Sequence, residues 1–261
     1  MLKNKKTLLI ILISFIVIIA VIIGIILIKK NTASTEETSK EEQSLTLEEL
    51  ENNFKNAFYN IEYEENEEAL VTPVYQLNKS EENKYDVNVN LPKINLNTDI
   101  TNKINDEIIN TYGVKLLDII KNNQEYTLYN IDYVSFINDN VLSVVIKSTL
   151  KEGSNPQRVM LQTYNYDLDN NKELSLEEIL NLKQIEKSVV QSKIIETVRE
   201  KNTNVTDYAG QGYNIFVRDI RSDEYLIPNI TTFFIGEGGH IFIVFAYGNN
   251  NYTATMDVII I

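Results

Sequence analysis

The densest set of potential ligand groups in the chain is Asp167-Leu168-Asp169-Asn170-Asn171-Lys172-Glu173-Leu174-Ser175-Leu176-Glu177-Glu178. Counted from Asp167, acidic or polar side chains fall at loop positions 1, 3, 5, 7, 9 and 12, with Leu174 at the apolar position 8, close to a calcium-binding EF-hand loop. Two features oppose calcium. Position 6, where glycine makes the sharp turn, holds Lys172, and Val159–Tyr166 reads as a strand where an entering helix is needed. The competing reading is a strand, a polar turn and a capped helix, and no metal or cofactor is expected. His240 is the single histidine, so the paired imidazoles of a typical zinc hydrolase cannot be supplied. A Ser-His-Asp arrangement needs only one, but His240 opens an apolar strand beside a glycine turn and reads as structural. Carboxylate pairs can hydrolyse glycans when held about 5 or about 9 Å apart. Among 37 Asp and Glu some fall close by chance, and the sequence does not set that spacing. Gly236-Glu237-Gly238-Gly239 lacks the Lys-Ser/Thr of a phosphate loop. The 15 tyrosines read first as strand packing and second as a ligand platform. No catalytic, cofactor-binding or metal-binding residue is assigned, and the chain is expected not to be an enzyme.

Composition narrows the partners. The apolar fraction of 43% supports a packed core. With Lys3, Lys5, Lys6, Lys29 and Lys30 set aside, 19 Lys and Arg stand against 37 Asp and Glu. That balance opposes nucleic acid and anionic lipid surfaces. It favours a cationic partner, or serves solubility alone. There is no cysteine, so the core must hold without disulfides, and thiol catalysis and lipobox anchoring are excluded. Abundant Asn, Lys and Ile indicate an AT-rich bacterial coding sequence. The Asn-x-Ser/Thr triplets at Asn78, Asn204, Asn229 and Asn251 are then read as accidental.

Thr7–Ile28 is 22 residues without a charge, roughly 33 Å as a helix at ~1.5 Å per residue, the thickness of a bilayer core. A cleaved signal has an apolar stretch of only about 7–15 residues, so a retained single-pass anchor is expected. Cleavage near Asn31-Thr32-Ala33 stays open. The flanking lysines, three before and two after, place the tail 1–6 in the cytoplasm and the rest outside.

Residues 29–70 read as a polar stalk, with a capping box at Thr46 and Glu49 opening a short helix to Phe58 and an acidic run, Glu62–Glu68, after it. The outer region is divided provisionally into 71–160 and 161–261. Val71–Leu77 and Tyr85–Leu91 read as strands, the second stopped by Pro92. Asp99 is expected to cap a helix carrying Ile100, Ile104, Ile108, Tyr112 and Leu116 on one face, with Gly113 a candidate interruption. Tyr126–Phe136 and Val141–Thr149 form a hairpin about Asn138-Asp139-Asn140, and Arg158–Tyr166 is a further strand. Ser175 and Glu178 make a capping box that opens helical segments to about Glu200, and Gly210–Gly212 is a loop. Phe233–Ile235 and His240–Tyr247 flank a glycine hairpin turn. Tyr252, Ala254, Met256, Val258 and Ile260 alternate with polar residues in a last strand. The fold class is α+β, an antiparallel sheet with helices packed on one face, preceded by one transmembrane helix.

Four pieces occur in a telling order: Tyr85–Ile94, Ile104–Tyr112, Thr163–Leu180 and Phe233–Ile261. Their markers are Pro92, the Asn165-Tyr166-Asp167 before the polar turn, the Leu174-Ser175-Leu176-Glu177-Glu178 helix start, and Tyr247 with Tyr252. Over residues 70–261 the chain resembles the extracytoplasmic domain of the lysozyme-sensing anti-sigma factor RsiV and the accessory domain of the peptidoglycan deacetylase PdaC. The departures matter. Six residues before the span leave no room for a sigma-binding segment, and the deacetylase's catalytic domain with its metal ligands is missing. Thr253-Ala254-Thr255 stands where that family is expected to have Ala-x-Gly. The resemblance implies an envelope-facing α+β domain that binds lysozyme or sits at peptidoglycan, and assigns no binding residue. The expected function is therefore a membrane-anchored extracytoplasmic binding or sensing protein, its ligand a basic protein such as lysozyme or cell-wall glycan. The alternatives are a glycan-acting enzyme with paired carboxylates, or a structural partner of another membrane protein.

Overall fold

Strict alternation of Tyr85, Val87, Val89 and Leu91 with Asp86, Asn88 and Asn90 makes a strand with one apolar face, and that face is buried almost completely. At about 1.5–3 kcal/mol per large apolar side chain, this one strand anchors the first half of the domain. A computed structural model describes residues 69–211, 216–247 and 255–261 of the chain. The expected span Thr7–Ile28, the stalk, the helix to Phe58, the acidic run and Tyr252 lie outside the described residues. Among the described residues no helix is long and apolar enough to cross a membrane.

The strands β1 (Val71–Glu81), β2 (Tyr85–Ile94), β3 (Thr127–Asn138), β4 (Val141–Glu152), β5 (Arg158–Asp167) and β6 (Lys172–Glu173) form one six-stranded sheet in that order. The antiparallel expectation needs correction at one place: β2 and β3 are parallel. Their connection is a helical crossover, α1 (Asp99–Ile108), a π-helical turn (Ile109–Gly113) and α2 (Val114–Asn122), as parallel neighbours require. Gly113 thus does not break the helix but closes its π turn, which buries Tyr112. The cap is Thr98 rather than Asp99, in a reciprocal box with Thr101. Pro92 does not stop β2, which runs on to Ile94. It lies opposite Pro73, at a bulge and beyond the last parallel pair Val89–Ile131, where only β1 is alongside. The β3–β4 turn has Asp139 and Asn140 at φ 47° and 62°, the left-handed pair a two-residue hairpin favours.

Ile104, Ile108, Tyr112, Leu116 and Ile119 from α1–α2 cover one face of this sheet. A second core packs α3 (Leu176–Leu182) and α4 (Lys187–Gly210) on a three-stranded sheet, β7 (Phe233–Ile235), β8 (Ile241–Ala246) and β9 (Met256–Ile260). The helices therefore serve two sheets rather than one face of one. The provisional division after residue 160 falls inside β5; the second core begins chiefly at Leu174. Everything described lies in one compact unit, Leu47–Ile261. The last strand reverses the expected phase: Asp257 and Ile259 point inward, while Val258 and Ile260 are exposed.

The two sheets meet through polar groups. The outer edge of β7 faces β3–β5 of the large sheet. The Phe233 amide donates to Thr163 Oγ1 (3.0 Å) and the Ile235 amide to Ser143 Oγ (3.1 Å). Asn165 Nδ2 donates to the Phe233 carbonyl (2.8 Å), and Asn138 Nδ2 to those of Ile235 and Gly236 (3.3 and 3.1 Å). The Ser143 hydroxyl donates in turn to Asn165 Oδ1 (2.7 Å). Side chains thus complete an edge strand that would otherwise carry orphan backbone groups.

Candidate functional site

The face of the large sheet opposite α1–α2 is only partly covered by the second sheet. Beyond that cover, strand alternation brings two ranks of polar side chains together. Asn78, Asn88, Asn130 and Thr149 are successive cross-strand partners on β1 to β4. In the next rank Gln76 pairs with Asn90 and Asp132 with Lys147. Gln76 Nε2 donates to Asn90 Oδ1 (3.2 Å), and Asn90 Nδ2 donates to Asp132 Oδ1 (3.1 Å), a relay across three strands. The ranks line an open groove of ≈ 640 Å³. Farther along β3 on the same face, Phe136 stacks on Phe234, which stacks on Phe242 (centroids 5.8 and 4.8 Å). These rings close over Gly236, where an added Cβ would meet the Phe242 ring at 2.6 Å.

The sequence candidates scatter. In the Asp167 loop, the Asp167 carboxylate accepts from the amides of Asp169 and Asn170 (3.0 and 2.9 Å) and from Asn170 Nδ2 (2.8 Å). Those bonds, the Asn170 side chain first, hold its pKa below the usual aspartate value. Lys172 Nζ reaches Glu178 Oε1 (2.9 Å), so the residue at the glycine position occupies the acid at the last ligand position. The preceding segment is β5, not a helix. Among the described residues no group of three or more His, Cys, Asp or Glu is placed to hold a metal. The loop is the polar turn into a capped helix: Glu178 Oε2 accepts from the Ser175 amide and hydroxyl (2.8 and 2.9 Å).

The bond from the Ser175 amide, then Lys172 and the Ser175 hydroxyl, lowers the Glu178 pKa from 4.5 to about 2. A depressed carboxyl pKa stabilises the fold above the ordinary value and is lost as pH falls through the folded one. Glu178→Gln should therefore flatten the stability profile between pH 4.5 and about 2. The loss at neutral pH should be about 1 kcal/mol or less, because the pair is partly solvated. Urea titrations at stepped pH read this out, and an unchanged acid slope would count against it.

His240 is exposed at the start of β8, and the glycine turn joins β7 to β8 as expected. Tyrosines pack in both cores: Tyr85, Tyr129, Tyr166 and Tyr225 are fully buried, and burial raises the phenols of Tyr85 and Tyr225 to about 12. Among the described residues one carboxylate pair shares a cavity. Glu107 of α1 and Glu173 of β6 line a cavity of ≈ 390 Å³ beside β5. Partial burial first, then the Glu107 charge, raises the Glu173 pKa, with Lys103 opposing. Both carboxylates are exposed.

Sequence reasoning missed a buried ion pair. Arg218 donates through Nε and Nη2 to the two oxygens of Asp257, the second bond at 2.7 Å, with side chains only 6% and 1% exposed. Tyr247 Oη donates to Asp257 Oδ2 (3.0 Å) and shares a proton bond with Tyr225 Oη (2.9 Å). Burial first, then these neighbours, drives the Tyr247 pKa far upward. Asp257 inside an alternating apolar run was the available signal.

No family model and no curated protein matches the chain. Among solved structures, it is similar to the crystal structure of a DUF3298 family protein from Pseudomonas aeruginosa PAO1. The identity is 14%, over 74% of this chain and 88% of that one, with a TM-score of 0.42. A likeness of this size assigns no residue a role.

Proposed function

We propose that the chain is a membrane-tethered, extracytoplasmic binding protein of the cell envelope, and that the amide-lined groove takes cell-wall glycan. The observation that supports this reading is a nearly neutral groove on a strongly acidic chain. Four Asn and one Gln offer both donors and acceptors, and Asp132 is set against Lys147. Such a surface suits hydroxyl and acetamido groups, and its open form suits an extended chain. The tether rests on Thr7–Ile28.

Catalysis by paired carboxylates is the weaker reading. Glu107 and Glu173 meet its first requirement, a pair with one raised pKa. Both stand in solvent, outside the water-excluded setting in which carboxyl catalysis is efficient.

The test is calorimetric titration of the full-length chain with solubilised peptidoglycan fragments. Replacing Asn88 and Asn130 together with Ala should weaken binding about thirtyfold at ~1 kcal/mol per lost hydrogen bond, with the fold intact. An unchanged affinity would remove the groove from the site. The balance beyond residue 30, 37 acids against 19 bases, supports a second reading, a basic protein such as lysozyme. Titration with a c-type lysozyme at low and high salt decides it, since only a shaped interface keeps its affinity at high salt.

A further inference from the structure

We propose that the cavity beside the outer edge of β5 binds an organic cation, an alkyl-ammonium or alkyl-guanidinium group, between Glu107 and Glu173. This does not rest on the glycan reading; it concerns the other side of the large sheet's edge.

The cavity has the parts such a ligand needs. Glu107 is held in place: Gln162 Nε2 donates to Glu107 Oε1 (2.7 Å) and to Tyr164 Oη (2.5 Å). Glu173 faces the same space from β6. Lys103 is the cation acting on Glu173 beside the Glu107 charge, so among the described residues two carboxylates stand against one ammonium there. That balance selects a positive ligand over a neutral sugar or an anion. Met160 and Leu161 supply apolar wall for a methylene stem. A volume of ≈ 390 Å³ suits a small molecule or one long side chain.

A second observation is independent of the acids. Ser148 lines this cavity, is fully buried, and among the described residues its hydroxyl has no hydrogen-bond partner. Buried hydroxyls are almost always paired, because leaving one unpaired costs about 1–3 kcal/mol. A hydroxyl left unpaired at the wall of a polar cavity marks a place for a ligand donor.

The cation has two possible carriers, a free amine or a side chain on an extended polypeptide. On its outer side β5 pairs with β6 only at Tyr166 and Asp167, so among the described residues Arg158–Met160 have no strand neighbour there. An added strand along that edge would deliver a basic side chain into the cavity.

Full-length chain should be titrated with agmatine and with the capped tripeptide acetyl-Thr-Arg-Thr-amide, by calorimetry and backbone NMR. At least one probe is expected to bind with a sub-millimolar Kd. The Glu107→Gln/Glu173→Gln variant, whose exposed changes preserve shape, should weaken it about tenfold or more. Ser148→Ala should weaken it by a smaller factor. Comparable binding of both probes supports the free amine, and about tenfold tighter binding of the peptide supports the strand-borne side chain. Absence of binding by either probe, or an affinity unchanged in the double variant, overturns the proposal.

Discussion

Asp257→Ala is expected to lower the unfolding free energy by about 3–5 kcal/mol, because it strands the Arg218 guanidinium in a site that is 6% exposed. Among the described residues the guanidinium has few other partners. Phe216 and Tyr247 each lie 5.6 Å from its carbon, within cation–π range. These rings are worth about 1 kcal/mol each at most and do not replace two charge-assisted bonds. Tyr247 also loses its acceptor, and Tyr225 is then the phenol left to it. The double variant Arg218→Met/Asp257→Leu should lose far less, since removing both charges leaves nothing unpaired. Urea denaturation of the three proteins measures this. A single-variant loss under about 1 kcal/mol, or a double variant worse than the single, would show that the pair is not desolvated as described.

The second large effect is expected at Asn165. Asn165→Leu keeps the size and removes both bonds that the amide makes inside the junction of the sheets. The Phe233 carbonyl loses a donor and the Ser143 hydroxyl an acceptor, with Ser143 wholly buried. At about 1–3 kcal/mol for each of the two groups the loss should be about 2–6 kcal/mol. Serine at 165, too short to span the gap, should do no better. A leucine variant as stable as the parent would mean that the seam tolerates apolar contact and that its polarity is incidental.

How much of this was legible depends on range. Local rules carried well. The Ser175–Glu178 capping box, the Asn138–Asn140 turn and the buried phase of β2 need only neighbours in sequence. One marker of the resemblance, Asn165-Tyr166-Asp167, makes three separate ties. Asn165 holds β7, Tyr166 Oη bonds Thr98 and Asn171, and Asp167 closes its own turn. What failed was contact across the chain. The parallel β2–β3 pair was implied by strand–helix–strand order, yet alternation alone does not say which way a neighbour runs. The phase of β9 was inverted because Val258 and Ile260 look like core and Asp257 does not. The partner that buries Asp257 is 39 residues away. The groove was invisible for the same reason: its asparagines are unremarkable in an Asn-rich chain until three strands set them side by side.

The junction at β7 has one more consequence. Two greasy sheet faces pressed together can slide by a residue and still bury the same oil. Here the joint is keyed: Ser143, Thr163 and Asn165 each meet one backbone group of β7, and Asn138 spans the carbonyls of Ile235 and Gly236 at its end. A shift by one position would turn the Asn138 and Asn165 amide nitrogens from carbonyls toward backbone N–H groups, donor against donor. The two halves therefore have a single registration, set by direction rather than by strength, and a chain without one disulfide keeps its parts aligned.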